Sequence, residues 1–277
     1  MPEGDTIHRA AAALDRALAG RTILRFESVF PRLTRIDVDH PLSGRTIQRV
    51  TARGKHLLIW FSGDLVLRTH MRMKGAWHLY RRGERWQRPR HEMRVVISTD
   101  VFDAVAFNVP VAEFGTERET ERALSVLGPD LLADDFDVAA AARRIAERAD
   151  AAIADALLDQ HAVAGIGNVY KSEALFAARI NPFTPVRDLP HEDVERVASI
   201  AQKMMQANIC RNLTGGTTST ARRTTGRMDP SARLWVYGRA GQPCRRCGAP
   251  IRRSKQGPDA RATYWCERCQ GARAAGG

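Results

Sequence analysis

The sequence predicts an α+β protein: an N-terminal helix on an antiparallel β-sandwich, then a helical segment and a short C-terminal module. Three observations carry that prediction. Apolar residues recur at helical spacing from Asp5 to Ala19, short alternating runs rich in Val, Ile and aromatics follow, and helical spacing returns from Asp137. Four cysteines then stand close together in the last quarter of the chain.

The first helix rests on Ile7, Ala10, Ala11, Leu14, Ala17 and Leu18, with Gly20 as its stop. Seven strands are predicted after it: Thr22–Phe30, Thr46–Ala52, His56–Phe61, Leu65–His70, Ala76–Tyr80, Met93–Thr99 and Val105–Val109. Turn signals such as Ser62-Gly63-Asp64 separate them, and so many short strands in sequence read as a sandwich. Arg81–His91 is read as a solvated, Arg-rich turn, and Glu117–Leu132 as a connection. Helices are predicted at Asp137–Arg148, Ile153–Val163, Val169–Ala178 and His191–Arg211. Ala164-Gly165-Ile166-Gly167-Asn168 joins the second to the third and presents backbone N–H groups where a phosphate would dock. Residues 212–233 lack any apolar pattern and are expected to be a mobile loop.

Cys244-x2-Cys247 and Cys266-x2-Cys269 are the most specific feature of the chain. Each pair closes a tight knuckle, and two knuckles a hairpin apart bring four thiolates within tetrahedral reach of one zinc ion. Gly248 follows the first pair, where a knuckle needs a left-handed residue. Two disulfides would use the same cysteines, but the start of the chain has acids at Glu3 and Asp5 and no apolar signal segment. A site with four protein ligands has no open position, so the expected ion is a single structural Zn2+. Cys210 is read as a free, partly buried thiol of a reducing cytoplasm.

The formal net charge is +12, and residues 222–277 alone hold thirteen Lys and Arg against Asp229, Asp259 and Glu267. A basic, zinc-stapled finger matches a nucleic-acid backbone. A membrane surface fits less well, because the segment has no amphipathic helix and no apolar run reaches the roughly 18 residues of a span.

Chemistry is expected at the other end. Removal of Met1 would leave Pro2 as a secondary amine able to form an iminium on an aldehyde-like carbon. An α-amine titrates near 8 and a lysine near 10.4, so the former is far more often unprotonated at neutral pH. Glu3 stands beside it as a candidate general acid. Many chains also begin Met-Pro, and Lys55 in Arg53-Gly54-Lys55-His56 reads by itself as a solvated lysine.

Together these elements resemble the formamidopyrimidine-DNA glycosylase and endonuclease VIII family of bifunctional DNA repair enzymes. The resemblance runs through nearly the whole chain: Pro2-Glu3-Gly4, Arg53-Gly54-Lys55-His56-Leu57-Leu58, Leu157-Leu158-Asp159-Gln160, Gly165-Ile166-Gly167-Asn168-Val169-Tyr170, Glu173-Ala174-Leu175-Phe176, Val236-Tyr237-Gly238-Arg239, and the finger's Arg261-Ala262-Thr263-Tyr264-Trp265-Cys266. It implies three parts. Residues 1–116 would be a catalytic β-sandwich domain, 117–232 a helix–two-turns–helix domain with the mobile loop, and 233–277 a zinc-finger hairpin, with DNA in a basic cleft. It implies Pro2 as Schiff-base nucleophile and Glu3 as general acid. Lys55 would assist β-elimination and Arg261 δ-elimination. Lys55, His70, Asn168 and Arg261 would grip phosphates around the lesion. Met73 would be the apolar wedge that fills the space of the flipped nucleotide, although ordinary core packing would also suit a methionine.

The purine-specific branch continues the loop around Pro110 with arginines and a phenylalanine that probe the opposite strand. Here that stretch reads Pro110-Val111-Ala112-Glu113-Phe114-Gly115. The departure, with the opening Pro2-Glu3-Gly4-Asp5-Thr6, favours endonuclease VIII of actinobacterial type and oxidised pyrimidines as substrates. The expected protein is therefore a monomeric, cytoplasmic, nucleoid-associated bacterial enzyme of base-excision repair acting on damaged DNA, in duplex, bubble or single strand. Alternatives are an oxidised-purine glycosylase of the same family and a zinc-finger protein that binds damaged DNA without cutting it. An enzyme acting on RNA is weaker, because nothing resembles an RNA module.

Overall fold

The computed structural model describes residues 2–210, 222–227 and 229–271, and the chain divides into two compact units after Val126.

The first unit begins with helix α1 (Gly4–Leu18), whose buried Ile7, Ala11, Leu14 and Leu18 form one apolar stripe. Strand β1 (Arg25–Ser28) follows, then helix α2 (Pro31–Asp39), β2 (Ile47–Arg53), β3 (His56–Phe61), β4 (Leu65–His70) and β5 (Ala76–Arg81). After them come β6 (Met93–Ser98), β7 (Phe102–Phe107), β8 (Val111–Gly115) and helix α3 (Glu117–Leu124). Two four-stranded antiparallel sheets result, ordered β1-β6-β7-β5 and β2-β3-β4-β8. Leu57, Ile59, Phe61 and Leu67 of one sheet meet Val95, Ile97 and Ala106 of the other, and α1 joins the same core. Asp15 Oδ1 accepts a hydrogen bond from Val50 N at 2.7 Å, which fixes α1 on β2.

Several expectations change here. Helix α2 lies where no element was predicted: it starts with Pro31 in its first turn but buries only Leu33, so it has no apolar stripe to read. Helix α3, expected to be connection, is set by a capping box between Thr116 and Glu119. The segment after Pro110 is strand β8, paired with β4 from Val66↔Gly115 to His70↔Val111, rather than a loop. The arginines of the Arg81–His91 turn are mostly exposed, but Trp86 folds back onto Phe107 and Tyr80, with ring centroids at 5.6 and 6.5 Å. It closes a small second core of Tyr80, Met93, Val96, Val105 and Phe107.

The second unit contains α4 (Val138–Ala146), α5 (Ile153–Ala156), α6 (Asn168–Ala178) and α7 (His191–Cys210), then the hairpin β9 (Arg252–Gln256) and β10 (Arg261–Trp265) and the short α8 (Glu267–Gln270). The helix predicted at Ile153–Val163 is a single turn followed by tight turns. Gln160 explains the change: its amide nitrogen donates to Leu158 O and Ile166 O, and its oxygen accepts Gly165 N at 3.0 Å. One side chain thus pins the Gly-rich turn that delivers α6.

Of the expected mobile loop, 212–221 and Met228 lie outside the described residues, as does the Cys210 side chain. Its other residues are tied down. Asn208 bonds both Arg223 N and Arg223 O at 2.8 Å, and Thr224 N donates to Arg233 O at 2.8 Å. Glu173 is fully buried and accepts hydrogen bonds from the backbone N–H groups of Trp235, Val236 and Tyr237 at 2.7–2.8 Å and from the Thr224 hydroxyl. Burial pushes its carboxyl pKa up, against those four donors.

Candidate active site and zinc centre

In the first unit Pro2 is half-buried and Glu3 caps α1 in an extended conformation. Glu3 O accepts the first helical bonds from Thr6 N and Ile7 N at 2.9 and 3.2 Å, and its side chain is 0% exposed. Asp5 is equally buried and faces Arg9 at 3.8 Å. Two carboxyls at the start of a helix sit in the favourable end of its dipole. The geometry therefore holds the Pro2 ring immediately before a buried acid.

Lys55 lies in the turn between β2 and β3, and Gly54 supplies the left-handed residue (φ 58°) that the turn requires. The register puts His56 opposite His70, with ring centroids 4.9 Å apart in an edge-on contact. Burial lowers the His56 pKa to about 3, helped by the charges of His70, Arg68 and Arg72. Burial likewise lowers His70 to about 4, with Arg72, Lys55 and Arg68 adding to the shift. Both rings are neutral at physiological pH. Arg72 N donates to His70 Nδ1 at 3.1 Å, which leaves the ring proton on Nε2. His70 is thus a neutral hydrogen-bond donor. Met73 follows on the turn after β4 and is 62% exposed, so it is not part of the core.

In the second unit Asn168 opens α6 behind Gly167, largely buried, and its Oδ1 has no hydrogen-bond partner. Arg261 opens β10 and pairs with Asp259 at 3.1 Å. The two units thus split the expected site residues: Pro2, Glu3, Lys55, His70 and Met73 in the first, Asn168, Arg261 and the four cysteines in the second.

The cysteines form one cluster. Their four Sγ atoms all lie within 4.8 Å of one another, with Cys244–Cys269 at 3.9 Å and Cys247–Cys266 at 3.4 Å. Zn–S bonds of about 2.3 Å at tetrahedral angles separate sulfurs by about 3.8 Å, whereas a disulfide needs about 2.05 Å. All four cysteines are free. Gly248 has the expected left-handed backbone, φ 79°. A backbone N–H from Ala249 draws the Cys247 thiol down to about 7, while burial and the neighbouring sulfurs push Cys269 up to about 12. Four thiolates so crowded ionise together only around a dication. The donor set fits a structural zinc ion held by Cys244, Cys247, Cys266 and Cys269.

Sequence reasoning missed two buried charges, Lys171 and Glu173, because a charge within a helix normally reads as a solvated face. The available signal was their place in Tyr170-Lys171-Ser172-Glu173-Ala174-Leu175-Phe176, a helix with no polar side.

The family model of the formamidopyrimidine-DNA glycosylase N-terminal domain matches residues 1–112, that of its H2TH domain residues 127–221, and a zinc finger found in FPG and IleRS residues 241–271. Among curated proteins, the "Probable endonuclease 8 2" of Streptomyces coelicolor is 42% identical over 98% of this chain and 94% of its own. The "DNA-(apurinic or apyrimidinic site) lyase Nei2" of Mycolicibacterium smegmatis is 39% identical over 98% and 99%. Among solved structures, the Lactococcus lactis Fpg in complex with an abasic-site DNA superposes with a TM-score of 0.81 at 26% identity, covering 98% of this chain and 100% of that one. Among the described residues no helix is long and apolar enough to cross a membrane. The chain belongs to the formamidopyrimidine-DNA glycosylase and endonuclease VIII family, the bifunctional DNA glycosylases and AP lyases of base-excision repair.

Proposed function

We propose that this enzyme excises oxidised bases, pyrimidines above all, through a Schiff base on Pro2 and then nicks the strand by β,δ-elimination. The observation that carries the reading is the placement of Pro2 directly before the buried Glu3 at the N-terminus of α1. With Met1 removed, the Pro2 nitrogen donates its lone pair to C1′ of the damaged nucleotide. The bond from C1′ to the base breaks, and Glu3 supplies the proton that the departing base or the opening sugar ring takes up. The iminium then acidifies the adjacent sugar carbon, so that loss of its proton expels the 3′ phosphate; a second elimination expels the 5′ phosphate. Lys55 assists the first elimination and Arg261 the second.

Lys55, His70, Asn168 and Arg261 hold the backbone phosphates, and Met73 fills the space of the flipped nucleotide. The exposure of Met73 supports that role, and so does the neutral Nε2–H of His70, which donates without adding charge. The zinc ion keeps the hairpin folded, and residues of the chain do the chemistry. Damaged DNA is the partner of a monomer acting in the cytoplasm on the nucleoid.

Borohydride tests the central step. It should trap a covalent adduct with abasic-site DNA, and Pro2→Thr, or any residue left ahead of Pro2, should lose the adduct while binding survives. Undiminished trapping with a blocked N-terminus would refute the reading. DNA binding without trapping in the mature wild type would favour the non-catalytic alternative.

Substrate preference rests on strand β8. Glu113 pairs with Arg68 across the strands where the purine branch carries arginines. An enzyme without an opposite-strand probe cannot demand cytosine across from the lesion, and base flipping costs least where pairing is already lost. Thymine glycol or hydroxyuracil should be excised well, in bubbles and single strands too, and 8-oxoguanine opposite cytosine poorly. Equal rates on that purine pair would move the enzyme to the other branch.

A further inference from the structure

Lys171 is 0% exposed, one turn into α6 from Asn168. Its Nζ donates to Thr263 Oγ1 at 2.9 Å and to Ala262 O at 3.3 Å, the two residues that follow Arg261 in β10. Thr263 Oγ1 passes a hydrogen bond on to Gln256 Oε1 at 2.9 Å across the hairpin, and Gln256 Nε2 donates to Pro182 O at 3.1 Å. Asp155, on α5, is the counter-charge: burial raises its pKa, and Lys171 and a hydrogen bond from Gln256 oppose that. The hairpin turn comes in so close that a Cβ on Gly257 would lie 2.6 Å from Asp155 Oδ1. Ser172 adds a parallel tie, donating to Asn168 O at 3.0 Å and accepting Tyr264 N at 3.5 Å.

A buried ammonium is an expensive way to fill space, and an apolar side chain of the same length packs there without the desolvation cost. What the lysine adds is direction. Its donors fix the register of β10 against α6, and the two ends of the fixed unit are Arg261 and Asn168.

We propose that Lys171 is a positioning residue that sets Arg261 relative to Asn168, so that both grip one DNA backbone and Arg261 is in place for the second elimination. The inference rests on the roles proposed above for Arg261 and Asn168. It concerns geometry alone, and Lys171 itself touches no reacting atom.

The experiment compares full-length, zinc-loaded proteins on abasic-site duplex at saturating enzyme and reads the ratio of δ- to β-elimination product. Lys171→Met should lower that ratio roughly tenfold, the scale on which misplacement by a fraction of an ångström costs rate. In an Arg261→Ala background the same substitution should change nothing further, because both act through one guanidinium. A zinc-loaded Lys171→Met protein with the wild-type ratio, or an undiminished effect in the Arg261→Ala background, overturns the proposal. Should Lys171→Met lose its zinc, Thr263→Val decides. It keeps the shape and removes the acceptor, so a lowered ratio supports the proposal and an unchanged one overturns it. If Arg261→Ala itself keeps the wild-type ratio, the role assigned to Arg261 is wrong and the proposal falls with it. Failure of the proposal alone shows instead as an Arg261 effect without a Lys171 effect.

Discussion

The two units hold their functional residues by opposite means. In the first, Pro2 and Glu3 lead into a helix whose Ile7, Leu14 and Leu18 share one large core with Leu57, Ile59, Phe61 and Leu67. Lys55 and His70 sit at the ends of strands whose register that core enforces. In the second, the hairpin that carries Arg261 has a small core among the described residues, Phe176, Val236, Ile251 and two cysteines, with Trp235, Ala249 and Tyr264 packed against it. Much of its further support is directional: four thiolates, the Glu173 carboxylate and the Lys171 ammonium. Size accounts for the difference, since so short a module cannot bury enough apolar surface to fold by itself. Apolar support fails gradually as contacts are removed. Directional support fails at once when one partner is lost.

Removing the metal should give the largest contrast. Cys247→Ser, or a strong chelator, should release one zinc per chain and abolish most DNA affinity, because metal affinity and folding of such a finger are one free energy. The β-sandwich should keep its own unfolding transition. Retained activity in a zinc-free preparation would end the comparison.

Glu173→Leu should come next. It strands three backbone N–H groups and one hydroxyl in a buried site, at a cost of at least ~3 kcal/mol. The finger should detach in hydrogen exchange at Trp235–Tyr237 while the first unit exchanges as before. Uniform loss of protection in both units would show that Glu173 supports the whole molecule.

The smallest expected effect concerns the first unit and pH. His56 and His70 fall from 6.5 to about 3 and about 4 on folding, so the unfolded chain binds protons that the folded one refuses. The stability from this pair is complete above about pH 6.5 and drains as pH falls toward about 4 for His70 and about 3 for His56. Urea midpoints of the first unit should therefore decline over that window, and replacing both histidines by glutamine should flatten part of the slope. A flat wild-type profile would mean that the rings are solvated.

Much of this was legible in the chain. The cysteine spacing specified the zinc quartet, and the apolar stripe from Ile7 to Leu18 specified α1 to within a residue at each end. The missing elements lacked apolar periodicity. Helix α2 buries one leucine, and α3 buries Thr120 and Leu124 behind a capping box that the Thr116-x-x-Glu119 pattern encoded and hydropathy ignored. Strand β8 alternates weakly and follows a proline. The expected site residues sit in turns and at element ends, where residue type carries the information. The buried network behind them was illegible, because Lys171, Asp155 and Gln256 belong to three elements that only the fold brings together.

Helix α6 has a consequence for how such a chain drifts over generations. Ten of its eleven residues are buried, among them Asn168 at the tip, Lys171 and Ser172 on the hairpin, Glu173 and Phe176 on the finger, and Tyr170, Ala174, Leu175 and Ala178 in the helical core. A helix with a solvent side can accept neutral exchanges there, but α6 has almost none to offer. Any viable replacement must arrive with a matching change in whichever neighbour it serves. The Gly165–Phe176 stretch should therefore be the slowest ledger of ancestry in this chain, with lineage-specific change crowding into segments such as Arg81–His91.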